Sequence, residues 1–237
     1  MSQAPIAQSG GFLRNRSGDT GCPSNDGICL GWMVDHLDRY WDPFLEHVVL
    51  TLIPLAIGFA IALSMGLIAH RQKWLITPLT GLTSAIYTIP SISSFLLLLP
   101  ITGRGNDTAI IALTAYTLVI IFRNVITGLA GVPQHAVDAA RGMGLTGTQL
   151  LFRVELPLAL PEIIAGLRIA AATTVGLAAF AYLAGAGGLG ANIDSDIDFR
   201  GNVLVCGIIL TLLAATLDAI VLFVQRLLTP WRRAVVT

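Results

Sequence analysis

Polar and apolar positions in this chain fall into long blocks rather than alternating at short range. Five blocks stay apolar over helical lengths: residues 48–69, 75–99, 108–129, 163–184 and 203–228. A bilayer core about 30 Å thick needs roughly 20 such residues in a helix. Residues 109–122 carry no charge on any face, whereas a helix of a soluble protein keeps a polar face at helical spacing. In lipid, each backbone amide must be bonded within its own segment or in a closed barrel. The pattern predicts an all-α integral membrane protein with five transmembrane helices. Ahead of the first block, residues 32–44 combine Trp32, Tyr40, Trp41 and Phe44 with apolar positions at helical spacing. That combination predicts a short helix lying in the membrane interface. Residues 1–31 are polar and rich in Gly and Ser, and are expected to be poorly ordered. They have no basic start and no apolar h-region, so they do not read as a signal peptide. The predicted layout is a polar segment 1–31, an interfacial helix 32–44, a membrane domain 45–228 and a tail 229–237.

Composition agrees with this. Of 237 residues, 54% are hydrophobic and 12% are charged, about half the charge of an average soluble domain. Net charge is zero, so no overall basic field attracts nucleic acid. The distribution of charge sets an orientation. Arg71, Lys73, Arg123, Arg141, Arg153, Arg168, Arg226, Arg232 and Arg233 lie toward one side of the five-span arrangement, and Arg14, Arg16, Arg39, Arg104 and Arg200 toward the other. Nine against five places the first side in the cytoplasm, with the N-terminus outside and the C-terminus inside. Cys22 and Cys29 share the N-terminal segment and can form a disulfide if it is extracytoplasmic. Cys206 lies in an apolar run and reads as a small core residue.

The second block contains Pro78 and Pro90, with Pro100 just past its end. Proline removes an amide donor and kinks a helix, and nearby hydroxyls can repair the gap. Tyr87, Thr88, Ser91, Ser93 and Ser94 surround Pro90. Two readings follow: a kink that serves packing, or a bend at Tyr87, Pro90 and Ser91 that lines a pathway. Asp218 falls inside the fifth block, where a charge is costly unless paired, hydrated or protonated. Arg168 and Arg123 approach from the same side as possible partners, for a structural ion pair or a translocation site. His36, His47, His70 and His135 lie outside the blocks or at their ends and read as interfacial or loop residues.

The loop between the third and fourth blocks, residues 131–157, is the most informative segment. Pro133 suits the first position of a helix. Gly142 and Gly144 suit its end, since glycine takes positive φ freely. Thr146 with Gln149 fits a capping box that opens a second helix. Pro157 and Pro161 are expected to interrupt the chain before it re-enters the membrane. The outcome is a helix–glycine–helix elbow, a rigid knob able to fit a partner's groove.

The order Asp138-Ala139-Ala140, Arg141, Gly144, Val154, Leu156-Pro157 resembles the signature loop of binding-protein-dependent ABC importer permeases. That family usually carries Glu where Asp138 stands and often Ile at Val154. The segments 87–91, 99–103, 123–129, 158–168 and 185–190 extend the resemblance over about residues 45–228, and look like glycine betaine, choline and related osmoprotectant permeases. Methionine-importer permeases share the loop and are the alternative. The resemblance implies an importer of two permeases, two ATPase subunits and an extracytoplasmic substrate-binding protein, in a bacterial inner membrane. The second permease would be a copy of this chain or a paralogue. ATP and Mg would bind the partner ATPase, docked on the 131–157 loop, and this chain would bind no cofactor. It would be a transport subunit, not an enzyme.

Other motifs carry less. Gly185-Ala-Gly-Gly-Leu-Gly190 matches a dinucleotide fingerprint in letters only, since it follows an apolar span rather than a strand. It reads as a flexible or tightly packed turn. No phosphate-binding GxxxxGK loop occurs. Asp194, Asp196 and Asp198 form an acidic cluster, read either as solvated loop charge or as a contact for a cation or the binding protein.

Overall fold

The computed structural model describes Val34 and residues 36–230. Cys22, Cys29, the segment 1–31 and most of the tail lie outside the described residues. Among the described residues, nine α-helices lie between Trp41 and Leu228: α1 (Trp41–Arg71), α2 (Ile76–Thr88), α3 (Ser91–Thr102), α4 (Asn106–Ala130), α5 (Gln134–Gly142), α6 (Gly147–Leu150), α7 (Leu156–Ala178), α8 (Leu189–Ser195) and α9 (Arg200–Leu228). Short 3-10 turns occupy Leu37–Tyr40, Lys73–Leu75 and Ala181–Ala184, and a π turn spans Leu151–Glu155.

α4 is the centre of the bundle. It packs on α1 along one side and α7 on the other, with α2 and α3 against it and α9 laid on α7. Small residues let these backbones approach. Between helices in lipid there is little hydrophobic drive, so close packing carries association. On α1, Gly58, Ala62, Gly66 and Ala69 are buried in one stripe. A Cβ on Gly58 would lie 2.1 Å from Thr117 Oγ1, and one on Gly66 would lie 2.3 Å from Val125 Cγ1. On α7, a Cβ on Gly166 would lie 2.4 Å from Asn124 Cβ. Ile121, Phe122 and Val125 fill the seam with Ile163, Ala170 and Ala171. Hydroxyls inside these helices bond their own turn, as Thr114 does to Ile110 O at 2.7 Å and Thr174 to Ala170 O at 2.7 Å. Such back-bonding lets Ser and Thr sit in apolar helices without an unmet donor.

Three helices among the described residues are long and apolar enough to cross a membrane: Leu37–Arg71, Asn106–Ala130 and Arg200–Leu228. The second apolar block is not one kinked helix. It breaks at Ile89–Pro90 into α2 and α3, bent by 96°. Pro90 has no amide to continue α2 and disfavours helical geometry at Ile89, whose ψ is 124°. Pro100 lies inside α3 rather than beyond the block. The fourth block is shifted: α7 starts at Leu156 and ends at Ala178, and residues 181–184 form a 3-10 turn. Pro157 and Pro161 do not interrupt the chain. Pro157 sits where the π turn Leu151–Glu155 passes into α7, and Pro161 lies within the helix. The described part of the expected 32–44 surface helix is a 3-10 turn that runs directly into α1. His47 is not interfacial. It is fully buried in α1, with Nε2 3.1 Å from Val175 O on α7.

Candidate functional site

The elbow projects from one end of the bundle. α5 opens after Pro133, which caps the helix from extended backbone rather than occupying its first position. The helix ends in a Schellman arrangement: Leu145 N–H donates to Ala140 O at 3.2 Å and Gly144 N–H to Arg141 O at 2.9 Å. Gly144 has φ +81°, which explains glycine here. Thr146 and Gln149 form the reciprocal capping box that starts α6. Val137, Ala140 and Leu150 make a small core with Val132, Leu145 and Val154. The elbow therefore holds its own shape. Beyond this core the second arm is not a separate helix. α6 passes through the π turn Leu151–Glu155 straight into α7, so the elbow is the end of a bundle helix. A displacement of the knob is then a displacement of α7.

The outer face of the knob is exposed at Asp138, Ala139, Arg141, Gly142 and Gly144. Met143 is 73% exposed and Phe152 52% exposed. Asp138 accepts from Gln134 Nε2 at 3.0 Å, which orients its carboxylate along α5. Val154 faces the small core, while Leu156 packs against the main one and Pro157 opens α7. The exposed apolar side chains of Met143 and Phe152 thus share the knob with the carboxylate of Asp138, held along α5, and the exposed Arg141.

Two contacts tie the knob to α1. His70 Nε2 lies 3.0 Å from Glu155 Oε2, and Arg71 Nη2 donates to Thr148 Oγ1 at 3.1 Å. Sequence reasoning missed this clasp, because His70 and Glu155 are far apart in the chain and neither falls in a recognisable motif.

A second feature lies at the α2–α3 break. Tyr87, Thr88, Ile89, Pro90 and Ser91 line a cleft of about 240 Å³ with Tyr116, Thr173 and Leu177. The Tyr116 hydroxyl donates to Ile89 O, meeting a carbonyl in the gap that Pro90 makes. The Tyr87 and Tyr116 rings stand 6.0 Å apart, tilted by 59°. Arg123 donates to Ser84 Oγ at 2.9 Å and sits 6.0 Å from the centre of the Tyr87 ring. It turns to α2 and does not join Asp218. Among the described residues it is Arg168 that holds Asp218, through two bonds of 2.7 and 2.8 Å between α7 and α9.

At the bundle end away from the elbow, the glycine segment 185–190 is tightly packed. Gly188 N–H donates to Glu46 at 2.8 Å. A Cβ on Gly187 would lie 2.0 Å from Glu46 Oε2, and one on Gly190 would lie 1.8 Å from Ala179 O. Within the acidic cluster, Asp196 pairs with Arg39. No group of His, Cys, Asp or Glu suited to a metal occurs among the described residues.

Comparisons with known proteins converge on one family. Residues 57–234 match the model for the binding-protein-dependent transport system inner membrane component. The osmoprotectant import permease protein OsmW of Salmonella typhimurium is 40% identical over 212 residues, covering 85% of this chain and 97% of its own. The choline transport system permease protein OpuBB of Bacillus subtilis is 33% identical over 187 residues, covering 78% of this chain and 86% of its own. Among solved structures, a chain of the MetNI methionine ABC transporter in an inward-facing conformation superposes with a TM-score of 0.67 at 26% identity. That superposition covers 85% of this chain and 98% of the other. An elbow continuous with a bundle helix, on an all-helical apolar frame, thus occurs together with a family match over most of the chain. The chain belongs to the binding-protein-dependent transport system inner membrane components, as the permease subunit of an ABC importer.

Proposed function

We propose that this permease carries small zwitterionic or quaternary-ammonium osmoprotectants of the glycine betaine, choline, carnitine and proline betaine class. The observation that carries this reading is the 40% identity to an osmoprotectant import permease across nearly its whole length. The fold supports a two-part mechanism. ATPase subunits dock on the knob around Asp138, Ala139, Ala140, Arg141 and Gly144. Their closure pushes α6 and α7, which are one helical run, and the His70–Glu155 and Arg71–Thr148 contacts pass the push to α1. ATP and Mg act on those subunits, and this chain is not itself an enzyme. A second permease, either a copy or a paralogue, completes the pathway, and an extracytoplasmic binding protein delivers the solute. The elbow end is cytoplasmic and the 185–198 end is outside. The chain crosses five times, with α2 and α3 together making one crossing and α7 another.

Uptake of labelled glycine betaine, choline, carnitine and methionine, in cells with and without the gene, tests the substrate. Loss of betaine-class uptake on deletion, with stimulation at high osmolarity, is the expected result. Selective loss of methionine uptake would replace the osmoprotectant with the methionine-type solute that the likeness to MetNI makes the second reading.

A further inference from the structure

Arg123 is an arginine in the apolar helix α4, two turns from its elbow end and exposed in the single chain, and no ion pair among the described residues includes it. Its polar contact is the single hydroxyl of Ser84. Where lipid or a partner helix covers that face, an unpaired charge is costly, and such residues face pathways or water. The guanidinium carries five N–H donors in a planar fork, and one hydroxyl leaves most of that fork open to a carboxylate. The Tyr87 ring beneath it packs against the Tyr116 ring, centroids 6.0 Å apart and planes tilted by 59°, and both rings line the cleft at the α2–α3 break. The Tyr87 ring already faces a cation, the Arg123 guanidinium itself. Thr88, Ser91 and Thr173 add hydroxyls to the cleft lined by the two rings, and Arg123 stands outside that lining, over the Tyr87 ring at its edge. Its volume of about 240 Å³ is below the roughly 300–1,000 Å³ of sites for drug-sized ligands. A small solute fits it.

The geometry points to a transit subsite for zwitterionic quaternary-ammonium solutes at the α2–α3 break, where Tyr87 and Tyr116 receive the ammonium and Arg123 receives the carboxylate. This rests on the osmoprotectant reading above. A quaternary ammonium has no N–H to donate, so neighbouring acceptors cannot hold it by hydrogen bonds and aromatic faces are its natural contacts. A carboxylate needs paired donors, which Arg123 has free. As the solute enters, its carboxylate draws the guanidinium from the Tyr87 ring and leaves that ring to the ammonium. Choline has the ammonium but no carboxylate. Arg123 is therefore the residue that separates betaines from choline within the permease, after the binding protein has released its cargo.

The test uses the whole importer, meaning this chain with its ATPase and binding protein, reconstituted in proteoliposomes. Initial uptake of labelled glycine betaine and labelled choline is measured at saturating binding protein, and size-exclusion chromatography checks assembly of each variant. Arg123→Gln should lower betaine uptake on the order of tenfold to a hundredfold and leave choline uptake within about twofold. Tyr87→Leu should lower uptake of both solutes by about tenfold, and Tyr87→Phe should restore it. An Arg123→Gln variant that lowers both solutes equally, or neither, overturns the subsite. So does a Tyr87→Leu variant that transports as well as Tyr87→Phe. The Tyr87 pair keeps the test decisive if the importer carries only the betaine. Wild-type vesicles that accumulate neither solute would remove the substrate assignment itself and this subsite with it. Uptake by wild type with an unselective Arg123→Gln removes the subsite alone.

Discussion

Asp218 and Arg168 hold each other on neighbouring helices, with side chains 38% and 32% exposed. The same two helices also expose apolar side chains in the single chain, Ile169 on α7 and Leu212 and Ile220 on α9. The bidentate geometry neutralises both charges and satisfies both carboxylate oxygens. Breaking such a pair costs more than removing it, because the remaining charge is left in an apolar setting. Asp218→Ala should therefore destabilise the assembled complex by about 2 kcal/mol, and the double variant Arg168→Leu with Asp218→Leu by less. Thermal unfolding of the detergent-purified complex checks this, and a double variant less stable than the single one would refute it. The pair was legible in the sequence because charges inside apolar blocks are rare. The partner choice was not. Arg123 and Arg168 both approach from the elbow end, and only the packing of α9 on α7 brings Arg168 within reach. Nor did the sequence mark His47 as buried, since its partner is a backbone carbonyl of another helix.

At the scale of elements, the elbow was the most legible part of the chain, because its turn chemistry is local. Gly144 takes a left-handed φ, and Thr146 with Gln149 closes the capping box. Thr146→Ala should cost about 1 kcal/mol of local stability. Gly144→Leu forces a branched residue into the left-handed region, at a similar or larger cost, and puts bulk on the exposed rim. Both variants should reach the membrane, but Gly144→Leu should co-purify with several-fold less ATPase subunit and lose most uptake. Normal ATPase recovery and normal uptake in Gly144→Leu would count against docking at this rim. What was not local was not legible. Pro157 and Pro161 read as breaks, yet one lies in the first turn of α7 and the other inside it. The π turn that joins the elbow to α7 carries no distinguishing residue. The residues around Pro90 gave two readings, a kink that serves packing or a pathway-lining bend, and neither carried an angle. The 96° bend reflects two helices that each pack separately on α4.

For the whole molecule, the number of crossings turns on the bent pair α2–α3. Their combined length and apolarity suit one crossing, but a 96° break equally suits a loop that enters and leaves on one side. The alternatives place different residues together. With five crossings, Trp74 and Met143 lie on one side while Arg104 and Ile197 lie on the other. With a re-entrant α2–α3, Trp74 and Arg104 share a side. These positions are exposed, Trp74 at 72%, Met143 at 73% and Ile197 at 63%, so they suit labelling. Single cysteines at the four positions, in a chain whose Cys22, Cys29 and Cys206 are changed to Ser, should react with a membrane-impermeant maleimide in two pairs. Arg104→Cys and Ile197→Cys should label in intact cells exposed only from outside. Trp74→Cys and Met143→Cys should label only after the membrane is opened. The expected direction follows from the arginine count, because cytoplasmic loops generally carry the excess of Arg and Lys. Labelling of Met143→Cys in intact cells would invert the orientation and remove the elbow from the ATPase's reach. Labelling of Trp74→Cys together with Arg104→Cys would turn α2 and α3 into a re-entrant hairpin, and the Tyr87 cleft would then open toward that same side.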